Sequence, residues 1–365
     1  MRKKFVSMFC GLLVMTAALW GCGDSGGAGS GTASATKAAF VITTDRSTGS
    51  FAVVDISSKS ASVNVGDIHS DADAVAHGGM VYVINRLGAD NIQVIDPDNG
   101  YSTIRQFSAG SGSNPYDIAF ASASKAYVSR YGETTLLIVN PLTGESLGSI
   151  DLSAYADSDG IPEMAKLHIK SGRLYVAIQA LDRNSFWVPT GQSRVVVVDT
   201  GTDTIISSVA LPFQNPVGDF IELTDGQLAI ACVGSYLSLD GGLAVIDPAT
   251  GAASKGALTE SLLGGDINSI ALISDTSGFA VISDSSFNTI LKKFDTESGS
   301  MTTILQSSGF NISGVAINDD ELWVADRTDS NPGIRIFDTG SGQETTTAPI
   351  STGLPPDRIL FINQG

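Results

Sequence analysis

The chain is poor in the residues that most often carry chemistry. Its 365 residues include three cysteines and three histidines. Three cysteines cannot build a disulfide framework, and three histidines leave little for a His-rich metal site or a haem pocket. Basic residues are also scarce: 21 Lys and Arg stand against 38 Asp and Glu, a formal net charge of −17. A chain this acidic is repelled by phosphate backbones, which argues against nucleic acid as a partner. Only 16% of the residues are charged and 7% aromatic. What is plentiful is glycine, at 40 residues, set among many Ser, Thr, Val, Ile and Asp. That mixture favours turns and strands over long helices. The 42% hydrophobic content suffices for a core, so global disorder is excluded.

Arg2, Lys3 and Lys4 precede an apolar run from Phe5 to Trp20. At roughly 16 residues it falls short of the about 20 that a membrane-spanning helix needs. It reads as a secretory signal peptide over residues 1–21. The run ends in Leu19-Trp20-Gly21-Cys22, which resembles the lipobox of bacterial lipoproteins. Leu19, the small Gly21 and Cys22 fit that pattern, whereas Trp20 stands where a small residue is usual. The resemblance implies lipidation of Cys22, which makes the lipid bilayer a partner and the cell envelope the location. Gly23 replaces the aspartate associated with retention at the inner membrane, so an outer-membrane lipoprotein is implied, on the periplasmic side or the cell surface. Residues 22–37 are rich in Gly, Ser and Ala and read as a tether. Its r.m.s. reach is roughly 20 Å.

From residue 38 the sequence repeats with a period of roughly 47 residues. One recurring element is an apolar run ending in an acid or amide. It occurs at Phe51–Asp55, Ile92–Asp96, Leu136–Asn140, Val195–Asp199, Leu243–Asp247, Ile290–Asp295 and Ile334–Asp338. Several copies continue into turns such as Asp96-Pro97-Asp98-Asn99-Gly100, where Pro presets φ and Gly accepts φ > 0. Upstream of each lies a second apolar run: Ala39–Ile42, Val81–Ile84, Ala126–Ser129, Leu174–Ala177, Leu228–Ala231, Phe279–Ile282 and Leu322–Ala325. Seven copies of each, in constant order, predict an all-β, seven-bladed β-propeller of four-stranded blades over residues 38–365.

The repeat resembles the YVTN family of β-propellers, most closely in Val81–Gly100 and in Asn114–Ala119 followed by Lys125–Arg130. The resemblance covers nearly the whole mature chain. It implies a fold and is almost silent on function. Because the chain begins with a second-position strand and ends with an inner-type strand at Asp357–Asn363, the C-terminal strand is expected to pair with the N-terminal blade and close the ring.

Candidate sites fall on one face. The loop Ala154–Glu163 joins the third blade to the fourth, and Gln179–Gln192 lies within the fourth; both are expected side by side, flanked by Ser235–Gly241. Long loops on a rigid scaffold are where function usually sits. Asp157, Asp159 and Glu163 could bind a hard cation such as calcium, or could instead form solvated turns. Asp182, Arg183, Trp187 and Tyr236 form a candidate ligand-binding set, with a loop that folds over its own base as the alternative. Asp73, Asp117, Asn268 and Asp357 align at the start of inner strands, at the channel mouth. There they could create a negative field or be mutually satisfied. No nucleophile elbow and no His-x-x-x-His pair occurs. The reading is a lipid-anchored envelope module that binds a protein, glycan or small ligand through its loop-rich face. The alternatives are a metal-dependent hydrolase or lactonase-like propeller, and a structural surface-layer component.

Overall fold

The structure, a computed structural model, describes residues 38–362. The signal segment, Cys22 and the tether lie outside the described residues, as does Asn363. No helix among the described residues is long and apolar enough to cross a membrane.

Each pair of apolar runs becomes the two middle strands of an antiparallel sheet, and seven sheets form a closed propeller. In blade two the strands are Ala72–His77, Met80–Asn85, Asn91–Asp96 and Ser102–Ser108. The middle strands are buried on both sides and read as continuous Val and Ile runs. Outer strands such as Ser146–Asp151 and Thr204–Ala210 are largely exposed, with Ser and Thr interspersed among their apolar residues. In six blades the pairing of third and fourth strands carries a register shift that raises the local twist.

The core is not one mass. It consists of seven apolar slices, each between neighbouring blades. Ile138, Leu152 and Val176 fill one slice, and Ala39, Trp323 and Ile336 another.

Ring closure follows the sequence expectation. Pro356–Ile362 is the inner strand of blade one and pairs antiparallel with Ala38–Thr44. Arg327 of blade seven locks this seam: it donates to Thr44 O at 2.8 Å, to Pro356 O at 3.2 Å and to Asp357 at 3.1 Å. Blade seven has three regular strands, and Gln343–Ile350 covers its outer edge through isolated bridges, Phe337 with Glu344 and Ile334 with Ile350. Pro349, which has no N–H to donate, breaks a regular fourth strand there.

The connectivity gives the ring two unlike faces. One carries the third-to-fourth-strand hairpins at Asp55, Asp96, Asn140, Asp199, Asp247, Asp295 and Asp338. The other carries the loops between second and third strands, together with the loops from each blade to the next.

Candidate functional site

The two long loops of the third and fourth blades meet on the loop face, as their place in the repeat requires. Three carboxylates stitch them together. Asp159 accepts the Arg183 amide at 2.9 Å and its Nε at 2.8 Å. Asp157 accepts the Thr190 hydroxyl at 2.7 Å, and Glu163 accepts the Leu181 amide at 3.0 Å. The positive charge in this acidic loop is therefore the Arg183 guanidinium, which also lies 3.6 Å from Glu163. No group of three or more His, Cys, Asp or Glu among the described residues is placed to hold a metal ion. Glu163 is fully buried, with Oε1 lacking a hydrogen-bond partner, and burial pushes its carboxyl up to about 8.

The tip of the second loop faces outward. Asp182 caps it by accepting the Asn184 amide and the Ser185 hydroxyl, both at 2.8 Å. Phe186 and Trp187 then adopt left-handed φ of 59° and 61°. Phe186 is 95% exposed, whereas Trp187 leans on Tyr131 of blade three with ring centroids 5.8 Å apart. Tyr131 stacks in turn on Tyr116 at 5.2 Å, and the Arg86 guanidinium sits 4.3 Å above the Tyr116 ring. Tyr131 donates to Gln179 at 2.6 Å, and Gln179 donates to Pro216 O at 2.8 Å. Tyr236 of blade five is 64% exposed. Blades two to five thus supply an aromatic cup with an arginine at its side.

Below the cup lies the channel mouth. Lys166 is 5.8 Å from the Tyr116 ring and pairs with Asp73 at 2.7 Å and Asp219 at 2.8 Å. Arg358 pairs with the same two carboxylates at 2.7 and 2.8 Å. Burial works to raise Asp73 and Asp219, but Arg358 and Lys166 outweigh it and hold both below the ordinary range. The Asp219 side chain is half exposed, whereas Asp73 is buried. Asp117 is the odd carboxylate, paired with no cation of its own. It accepts the amides of Leu167 and Ile118, each at 2.8 Å. Burial dominates there and pushes it up to about 6.

The four sequence candidates at the mouth therefore divide. Asp73 and Asp117 join one network. Asn268 donates to Ser283 at 2.6 Å and lines a cavity of about 100 Å³ beside Lys166, Asp219 and Arg358. Asp357 turns aside to Arg46 at 2.9 Å and to Arg327. The expected negative field is largely offset by Lys166 and Arg358. Sequence alignment missed Lys166, Asp219 and Arg358. Lys166 sits within a register shift between Met164 and Leu167 that rotates it into the channel, so Met164 occupied the aligned position instead. Asp219 precedes a two-residue strand, Ile221–Glu222, and has no strand pattern to betray it. The one signal was a lysine between the apolar Ala165 and Leu167 of the inner run. A larger groove of about 430 Å³ lies between blades six and seven at the hairpin end, lined by hairpin residues, and its Lys293 already donates to Thr339 and Gly340 carbonyls.

No protein-family model and no curated protein matches the chain. Solved structures do. The periplasmic gluconolactonase PpgL of Pseudomonas aeruginosa is similar at 14% identity and TM-score 0.59, over 90% of this chain and 99% of that one. Apo AztD from Citrobacter koseri is similar at 14% identity and TM-score 0.56, over 88% and 96%. A quinonprotein alcohol dehydrogenase-like protein from Bacteroides thetaiotaomicron is similar at 12% identity and TM-score 0.61, over 89% and 78%. At such identities the likeness extends to the fold alone: this chain is a β-propeller.

Proposed function

We propose that this protein is a binding module of the cell envelope, a YVTN-type propeller tethered by lipid on Cys22, that takes a flat polar ring such as a sugar in the cup of Tyr116, Tyr131, Trp187 and Tyr236. The observation that carries this is the convergence of four aromatic side chains and Arg86 above a channel where Lys166 and Arg358 are already paired with Asp73 and Asp219. Arg86 supports it further, because its Nε is buried without a hydrogen-bond partner and Asp71 stays 3.8 Å away. Rigid aromatic faces bind rings at low entropic cost, and an orphan donor nearby gives orientation. Trp187 is a built-in reporter, since Trp323 is buried and Trp20 belongs to the signal segment. Titrating the mature protein with a panel of mono- and oligosaccharides should give a saturable change in Trp187 emission. Tyr131→Ala and Tyr236→Ala should weaken it about tenfold. A panel without any saturable response, or unchanged affinity in both variants, overturns the assignment.

A second reading, a lactonase-like hydrolase, is favoured by one observation: Asp117, poised at about 6 beneath the cup, has the acidity of a general acid or base. Lactone opening that disappears in Asp117→Asn would select it.

A further inference from the structure

The exposed aromatic side chains of the described residues all lie on the loop face: Phe186, Trp187, Tyr236, Phe287 and Phe310. Beyond the cup, on blades five and six, a separate apolar set stands out. Leu237 and Leu239 belong to the blade-five loop, and Leu262 to the single-turn helix Glu260–Leu263 that leads into blade six. Phe287 and Phe310 come from the two loops of blade six, their rings 6.0 Å apart. These five are 39–61% exposed. The helix loop is tied to the blade-five loop, with Ser261 donating to Leu239 O at 3.1 Å.

Three of the five stand in left-handed backbone: Leu237 at φ 65°, Leu239 at 51° and Phe287 at 61°. Glycine or asparagine would occupy such turns more cheaply, by about 1 kcal/mol. Both loops are held rigid. Asp266 accepts the Leu237 amide at 2.8 and 3.1 Å, and Asp284 accepts the amides of Ser286 and Asn288, each at 2.9 Å. Large apolar side chains are therefore displayed on stiff, strained tips that gain nothing from burial within this chain. Strain kept at exposed tips marks a surface retained for function.

The charge on the loop tips of this set is acidic, and the one lysine beside it, Lys292, is engaged beneath the helix by the Leu263 carbonyl at 2.5 Å. Asp240 and Asp284 flank it, Asp329 stands on the corresponding loop of blade seven, and the loop segments 233–241, 260–265, 284–288 and 308–311 contain no Lys or Arg. Anionic lipid headgroups and acidic chains are repelled by such a surface, while apolar groups carried with Lys or Arg are attracted.

We propose that the blade-five and blade-six sector is a docking surface for a cationic amphipathic polypeptide segment, with apolar side chains seated on Leu237, Leu239, Leu262, Phe287 and Phe310 and its basic groups facing Asp240 and Asp284. This goes beyond ligand binding in the cup and uses different side chains.

The test uses the mature chain with a fluorescent Leu/Lys amphipathic helical peptide, its Leu/Glu counterpart, and vesicles of phosphatidylcholine with phosphatidylglycerol. The Leu/Lys peptide should bind at least about tenfold more tightly than Leu/Glu, and raising salt should weaken it severalfold. Phe287→Asn with Phe310→Ser should reduce binding about tenfold or more. Asn keeps the left-handed turn, so the melting temperature should not fall. Asp240→Asn with Asp284→Asn should flatten the salt dependence, and Tyr131→Ala in the cup should leave peptide affinity unchanged. No binding of the Leu/Lys peptide, equal binding of both peptides, undiminished binding by the Phe variant, or a preference for vesicles over the peptide would each overturn the proposal.

Discussion

The two faces of the ring solve the same problem in different ways. On the hairpin face one device recurs. Asp55, Asp199, Asp247, Asp295 and Asp338 each accept backbone amides two or three residues on, and those bonds hold their carboxyls below the ordinary range. On the loop face the connections are anchored by several different devices. Glu163 anchors one junction, and Glu260 another through the Gly241 and Ile267 amides at 2.8 and 2.9 Å. Thr289 anchors a third by accepting the Ile312 amide and donating to Gly309 O, each at 3.0 Å. Repetition marks the hairpin face, and individuality marks the face on which ligand binding is proposed.

The largest effect is expected where the faces are joined. Deleting residues 356–365 removes the inner strand of blade one, the partner of Ala38–Thr44 and the acceptors of Arg327. Cooperative thermal unfolding should be lost, and an unchanged melting temperature would show that the ring does not depend on its seam.

The next effect concerns protons. Asp117 at about 6, Glu260 at about 7 and Glu163 at about 8 are raised chiefly by burial, so the folded state binds their protons more tightly than the unfolded chain. Stability therefore falls as pH rises from about 4 through these values, by on the order of 3 kcal/mol for Asp117 alone. Asp73 and Asp219 are lowered and act oppositely, losing their contribution only below about pH 4. Melting temperature should be higher at pH 5 than at pH 8, and Asp117→Asn should flatten that slope. A protein more stable at pH 8 would contradict the burial described here.

The smallest effect sharpens the contrast directly. Leu237→Asn should raise stability, by up to about 1 kcal/mol, because Asn tolerates the left-handed turn. Asp199→Ala on the hairpin face should lower the melting temperature, because the amides of Gly201 and Thr202 lose their acceptor. Denaturant melts of the two variants should shift in opposite directions.

The same contrast explains what could be read in advance. The strands, hairpin turns and ring closure were legible because they repeat: the paired apolar runs recur seven times, and Asp/Asn-Pro-x-x-Gly marks the hairpin in three of the copies. The meeting of Asp159 with Arg183 was legible in part, as two long loops predicted on one face. The stack of Tyr116, Tyr131 and Trp187 was not, since Trp187 comes from blade four and only the ring brings it onto the two tyrosines of blade three. Arg358 was hidden for the same reason. It sits in the last strand of the chain, yet it pairs with Asp73 of blade two and with Asp219, which leads into blade five.

The seam between Ala38–Thr44 and Pro356–Ile362 also gives the ring a handle. Ala38 pairs with both Asp55 and Ile362, so both ends of the described chain emerge beside a hairpin turn. Neither end crosses the loop face. Among the described residues, then, the seam opens on the hairpin face, and the cup and the apolar sector lie on the opposite one, an arrangement assigned by the strand order alone.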